Sequence, residues 1–244
     1  MSRRDDSRKA TETLKEIEGV LDRAANWVAA NPKPVLLILG IIVGGSALIG
    51  GGQWWIEREK LTASGAVAEV KFAYFEAMGA RPGAVEVPEP ANPETARAAR
   101  ERFAAEFAEV AEAYAGSAAA TDAWIEAGNL RAQLDDPEGA ITAWEAAVES
   151  AGSDSGARGL ALARLAAGYE GAERWVDAAE RWEQAGGIDG YPLRHQALAF
   201  AARARVEAGE PERAIALYDR IETDAPDFDL PPHLLAQRDE LRAR

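Results

Sequence analysis

Cysteine is absent from the 244 residues, and with it go disulfides, thiolate nucleophiles and every zinc site that needs sulfur. Its absence leaves the redox compartment open, because oxidising compartments also hold cysteine-free proteins. Histidine occurs only as His195 and His233, neither in a metal-binding spacing. No glycine-rich phosphate loop follows a strand pattern, and the densest glycine run falls inside an apolar segment. The carboxylate pairs Asp135-Asp136 and Asp227-Asp229 sit in turn contexts, where capping and turn chemistry account for them. These shortages predict no enzyme, no cofactor and no metal site, and disfavour a hydrolase or metal enzyme on a helical scaffold. Basic residues are also few, 27 Lys/Arg against 41 Asp/Glu. Residues 1–60 are nearly balanced, with nine Lys/Arg and eight Asp/Glu, so residues 61–244 hold 27 − 9 = 18 basic against 41 − 8 = 33 acidic residues, a net charge of −15. An acidic domain repels phosphate backbones and anionic lipid surfaces, which argues against nucleic-acid binding.

What the chain does have is one long apolar run. Pro34 to Ile56 holds no charged residue, and Val35 to Ile49 is mainly Val, Leu and Ile. As a helix it would span roughly 34 Å, more than the bilayer core of about 30 Å. Lys33 and Glu57 bracket it, and the Trp54-Trp55 indoles suit the headgroup boundary, so one transmembrane helix is predicted over 34–56. A cleaved signal peptide does not fit. The tail before the run is too long, and Gly50-Gly51-Gly52-Gln53 is not an Ala-type cleavage site. Gly40 and Gly44, continued by Ser46 and Gly50, place small residues four apart, a face on which a partner's span or a second copy could pack closely to form a homodimer. Flanking charges are balanced until Arg3, Arg4, Arg8 and Lys9 tip them toward a cytoplasmic N-terminus, with the rest of the chain across the membrane.

Residues 1–33 precede the span. Leu14, Ile17, Leu21, Ala24 and Val28 follow three-four spacing, predicting an amphipathic helix capped by Ser7 and ended by Asn31-Pro32, either docking on the cytoplasmic side or only spacing the anchor. Residues 57–120 read as a linker and a degenerate first hairpin. Its first helix runs over Leu61 to Met78 and stops at Gly79; its second runs over Thr95 to Tyr114, with Phe103, Phe107, Val110 and Tyr114 on one face. The proline-rich stretch between them reads as a loop.

From 121 to 228 one pattern recurs three times. It reads Trp124, Gly128, Ala140, Trp144, Ala147; then Leu162, Ala166, Ala178, Trp182, Ala185; then Leu198, Ala202, Ala214, Tyr218, Ile221. Internal spacings are identical, and Ala140, Ala178 and Ala214 stand 38 and 36 residues apart. Such a period predicts stacked helical hairpins, with the small residue where partner helices cross and the aromatic filling the gap to the next hairpin. Asp135-Asp136-Pro137 and Ala208-Gly209-Glu210-Pro211 read as hairpin turns, and residues 229–244 as a capping helix beginning at Pro232. The fold class is therefore all-α: a single N-terminal transmembrane helix followed by an α-solenoid.

These spacings resemble the tetratricopeptide repeat, with Pro226 matching its closing proline. Arg131 and Arg205 stand where that repeat usually has tyrosine, and Tyr169 matches. The resemblance implies a protein-binding surface on the first helix of each hairpin, facing the concave side. Here that surface would comprise Asp122, Ile125, Asn129 and Gln133; Ala163, Ala167 and Glu170; and Gln196, Ala199 and Arg203. Only Asn129 and Arg203 match a carboxylate-gripping clamp, so a shallow mixed surface is expected. The order of parts also resembles the YfgM-like ancillary subunit of the bacterial SecYEG translocon: a tail with Ala30-Asn31-Pro32-Lys33, a Gly-rich span, Trp54-Trp55, then repeats. That resemblance implies an inner-membrane protein with periplasmic repeats, contacting translocon components, chaperones or translocating chains, and the bilayer through one span. A structural scaffold for envelope assembly or cell division is the alternative.

Overall fold

The computed structural model describes Ala30, Arg58 and residues 61–81, 83 and 86–243. The predicted N-terminal amphipathic helix, the span over 34–56 and its small face of Gly40, Gly44, Ser46 and Gly50 lie outside the described residues. Among the described residues no helix is long and apolar enough to cross a membrane. The chain divides into two units, Met1–Arg58 and Glu59–Arg244, and the described residues belong almost wholly to the second.

All regular structure among them is helical. Residues 61–77 form α1. After a loop come α2 (Pro93–Ala113), α3 (Ala118–Ala132), α4 (Pro137–Ser150), α5 (Ser155–Gly171), α6 (Trp175–Gly186), α7 (Arg194–Glu207), α8 (Pro211–Asp224) and α9 (Pro232–Ala243). Starts follow local chemistry. The Asn92 side chain accepts from Glu94 N at 2.9 Å ahead of Pro93, so α2 begins two residues before the predicted Thr95. Ser117, Asp136 and Asp154 cap α3, α4 and α5 in the same way, accepting from Ala120, Gly139 and Ala157.

The three hairpin turns share one construction at the repeat spacing. Asp135, Glu173 and Gly209 each adopt positive φ, at 58°, 57° and 77°. The next residue's amide then donates five residues back, Asp136 to Arg131 (3.1 Å), Arg174 to Tyr169 (2.8 Å) and Glu210 to Arg205 (2.8 Å). That bond satisfies a carbonyl the helix end would otherwise leave free. The residue receiving it also fastens the turn with its side chain, differently each time. Arg131 donates to Gly139 O at 3.2 Å. Tyr169 donates to Glu145 at 2.8 Å, with the Arg174 guanidinium 4.4 Å above its ring. Arg205, only 3% exposed, pairs with Glu183 and Glu210, both at 2.6 Å. The two arginines standing in for tyrosine thus perform the fastening themselves.

Each helix packs on its neighbour in sequence, and the first helices of successive hairpins also meet, α3 on α5 and α5 on α7. The second helices α4, α6 and α8 make no comparable contact with one another. Crowding on the side of the first helices makes that side the inner face of the stack. The repeated small and aromatic positions are core: Ala140, Ala178 and Ala214 are buried, as are Trp144, Trp182 and Tyr218. Trp124 is the exception among the leading positions, half-buried where Leu162 and Leu198 are enclosed, since its ring is shared between two clusters and outgrows both. The first hairpin, α1 with α2, closes on α3 through Tyr74, Met78, Phe103 and Phe107. At the other end α9 covers Tyr218 and Ile221 with Leu234 and Leu241.

Candidate functional site

Three depressions follow the inner face. The first, about 650 Å³, lies between α1, α2 and α3 and reaches Trp144 and Arg164. A second of about 500 Å³ runs from Ala132 and Trp144 across to Arg164, Ala167 and Gly171. A narrower slot of about 180 Å³ separates α5 from α7, between Leu160, Ala163 and Ala167 on one side and Leu193, Gln196 and Phe200 on the other.

Of the expected surface residues, Asn129 and Gln133 line the first depression and Ala163, Ala167 and Gln196 the slot. Glu170 and Arg203 form a bridge of 2.5 Å from α5 to α7. Gln133 is held by Arg100 at 3.0 Å, and Asn129 leans on Glu126 at 3.4 Å. Asp122 stands exposed on α3, yet neighbouring chain crowds its carboxyl. That loss of hydration, with Glu126 and Asp154 adding repulsion against the weaker pull of Lys71, raises its pKa above the ordinary aspartate value.

Two of the ten need correction. Ile125 is buried against Ala147 and Ala161, and Ala199 is buried beside Leu198 and Tyr218. Both belong to packing and neither faces the groove. In each case the next residue takes the place: Glu126 lines the first depression and Phe200 the slot. The face itself is the expected one, kept by Asn129, Gln133 and Gln196; Glu126 stands three residues before Asn129 and Phe200 four after Gln196, spacings that share one helix face.

Arg164 is the functional candidate that spacing alone missed. It lines all three depressions, and among the described residues it makes no ion pair or hydrogen bond. Its sequence signal is a lone charge in an otherwise small and apolar stretch, Gly159-Leu160-Ala161-Leu162-Ala163-Arg164-Leu165-Ala166-Ala167. The other cations of the first depression are already engaged, Lys71 by Glu126 at 2.8 Å and Arg100 by Glu89.

Trp144 forms the floor between the first two depressions. A Cβ added to Gly128 would lie 2.4 Å from its Nε1, and one added to Gly168 would lie 2.4 Å from its six-membered ring. The indole therefore sits between two helix backbones, which only glycine permits. Among the described residues its buried N–H has no acceptor. The corresponding Trp182 donates to Glu170 at 2.9 Å and meets Phe200 edge to face at 5.1 Å. His195 is engaged with the Phe228 ring, and no group of three or more acidic or histidine side chains suited to a metal occurs among the described residues.

No protein-family model matches the chain, and no curated protein matches it. Among solved structures it is similar to the TPR-like repeats of a kinesin light chain-like protein from Podosopora anserina, with 16% identity over 60% of this chain and 83% of that one, at a TM-score of 0.45. A single-residue variant of the same protein gives 16% identity over the same shares at a TM-score of 0.44.

Proposed function

We propose that this chain is a protein-binding module, tethered to a membrane by its apolar N-terminal segment, that receives a segment of another polypeptide along the inner face of α3, α5 and α7. The observation that carries this reading is the run of depressions sharing Arg164, floored by an aromatic ring and edged by two exposed leucines, Leu160 at 41% and Leu193 at 51% exposure. Apolar floor, sparse polar groups and stepwise shape suit an extended or helical segment more than a small molecule. Stacked hairpins use such surfaces because each repeat adds a few contacts to a long ligand.

Its finer form rests on the apolar run, the N-terminal basic residues and the order of parts. The repeats lie outside the cytoplasm of a bacterial cell and handle chains or chaperones at the Sec translocon. Photocrosslinking in membranes tests both levels. A photoreactive residue at Asn129, Ala167 or Gln196 should form polypeptide adducts, while one at the exposed outer positions Glu149, Glu180 or Glu212 should not. Equal labelling from both faces would overturn the groove. Inner-face adducts lacking translocon components, translocating chains and their chaperones, with a stable division or assembly protein in their place, would overturn the translocon form alone.

A further inference from the structure

We infer that Arg164 binds a side-chain carboxylate of the segment lying in this groove, and that an apolar side chain next to that carboxylate enters the slot between α5 and α7. The inference rests on the groove proposed above and adds the chemistry of its occupant.

Charge is the first argument. The chain carries 41 acidic residues, and most described arginines beyond residue 90 hold one or more of them. Arg164 is exposed on α5 and among the described residues holds none, although it lines all three of these depressions. In the slot it is the one charged lining residue, set against Leu160, Ala163, Leu193 and Phe200. An unpaired guanidinium at an apolar edge offers a carboxylate two parallel N–H donors.

Size is the second. The slot's volume of about 180 Å³ falls below the range of about 300–1,000 Å³ typical of small-molecule pockets. It suits one aliphatic side chain. The Arg203–Glu170 bridge stands three residues beyond Ala167 and Phe200 on the two helices, and Tyr191 is among the slot's lining residues.

Continuity is the third. Larger depressions extend beyond Arg164 toward α3, so a bound chain passes this point and does not end there. The anion is thus a side chain and not a terminal carboxylate. The surrounding acidity limits it further: a run of acidic residues would be repelled, so the segment carries a single carboxylate in neutral or basic surroundings.

The test is selection of random twelve-residue peptides, displayed without a free C-terminus, on the full chain in detergent micelles. Wild type should enrich Asp or Glu adjacent to Leu, Ile, Met or Phe. Against the best synthetic peptide, Arg164→Gln should weaken binding about tenfold or more, and Asp→Asn in the peptide should do the same without further loss in the variant. Arg164→Glu should turn the preference to Lys or Arg. Ala167→Phe, which fills the slot from an exposed position, should remove the apolar preference and keep the acidic one. Matched far-UV circular dichroism excludes unfolding as the cause. Peptides of equal strength from wild type and Arg164→Gln would overturn the inference and leave the groove standing. Binding that requires a free C-terminal carboxylate would also overturn it. No enrichment by any of these proteins would overturn the groove itself.

Discussion

Trp144 and Trp182 occupy the same position in successive hairpins, 38 residues apart, and both are buried, yet their surroundings differ. Trp182 gives its N–H to Glu170, and Glu170 holds Arg203 on the next first helix, so one hydrogen-bonded chain joins α5, α6 and α7. Trp144 has no acceptor among the described residues, and the position matching Glu170 is Ala132. Two glycine backbones clamp it instead, and depressions open on both sides. An alanine in place of a glutamate, together with Gly128 and Gly168 where the next hairpin has Ala166 and Ala204, separates a locked junction from an open one. The stack is open where the inner groove is widest.

Truncation separates the two most sharply. Trp182→Ala and Trp144→Ala should each cost about 3–5 kcal/mol, with Trp182 at the upper end because its loss also strips a donor from a half-buried carboxylate. Phenylalanine isolates the hydrogen bond. Trp182→Phe should cost about 1.5–3 kcal/mol more than Trp144→Phe, which breaks no bond, as read from denaturant midpoints. Equal costs would mean that the Glu170 bond contributes nothing and that the junctions are alike.

The turn fasteners give the next effect. Arg205→Ala removes a buried cation from two carboxylates and should cost about 3 kcal/mol, the lower limit for breaking such a pair, since Glu183 and Glu210 remain about a third exposed and rehydrate. Arg131→Ala, losing one bond to a carbonyl, should cost about 1 kcal/mol. Arg205 also holds the Glu210 carboxyl below its ordinary pKa, with Arg213 assisting. A lowered carboxylate stabilises the fold above its unfolded pKa of about 4.3 and loses that contribution as pH falls through the folded value. The gap between wild type and Arg205→Ala should therefore narrow in acid.

Much of this architecture was legible in the sequence. Alanine, aromatic and small residues at fixed spacing announced the hairpins because close helix crossing and gap filling admit few residue types. Glycine, Asp-Pro and Glu-Pro marked two of the turns. The middle turn was harder to read, since Glu173 takes the left-handed conformation without a turn residue's signature. The groove was legible only as a stripe. The exchange of Ile125 for Glu126 and of Ala199 for Phe200 turns on whether a step of three or of four residues faces the groove, which packing against neighbouring helices decides. Arg164 was visible as a lone charge, but its lack of a partner depends on where every nearby carboxylate ends up.

Glu173 supplies a gain of function in stability. A residue with a Cβ in the left-handed region costs about 1–2 kcal/mol, so Glu173→Gly should raise stability by about 1 kcal/mol after glycine's greater unfolded freedom is subtracted. Asp135→Gly should gain less, because aspartate tolerates that conformation better than glutamate. An unchanged melting temperature for Glu173→Gly would indicate that the turn bears no strain.

The smallest effect lies on α3, one turn before Glu126, where the Asp122 carboxyl is crowded and Glu126 repels it. Its folded pKa is raised, so the ionised form is disfavoured in the folded chain relative to the unfolded one. The penalty is absent below the unfolded aspartate value of about 3.9 and develops as pH rises through the folded value. Asp122→Asn should accordingly melt slightly higher than wild type at pH 7 and equally at pH 3. A gain that persisted at pH 3 would locate the effect in side-chain packing, whereas its disappearance would show that α3 gives up stability to keep this carboxylate ionised one turn from Glu126.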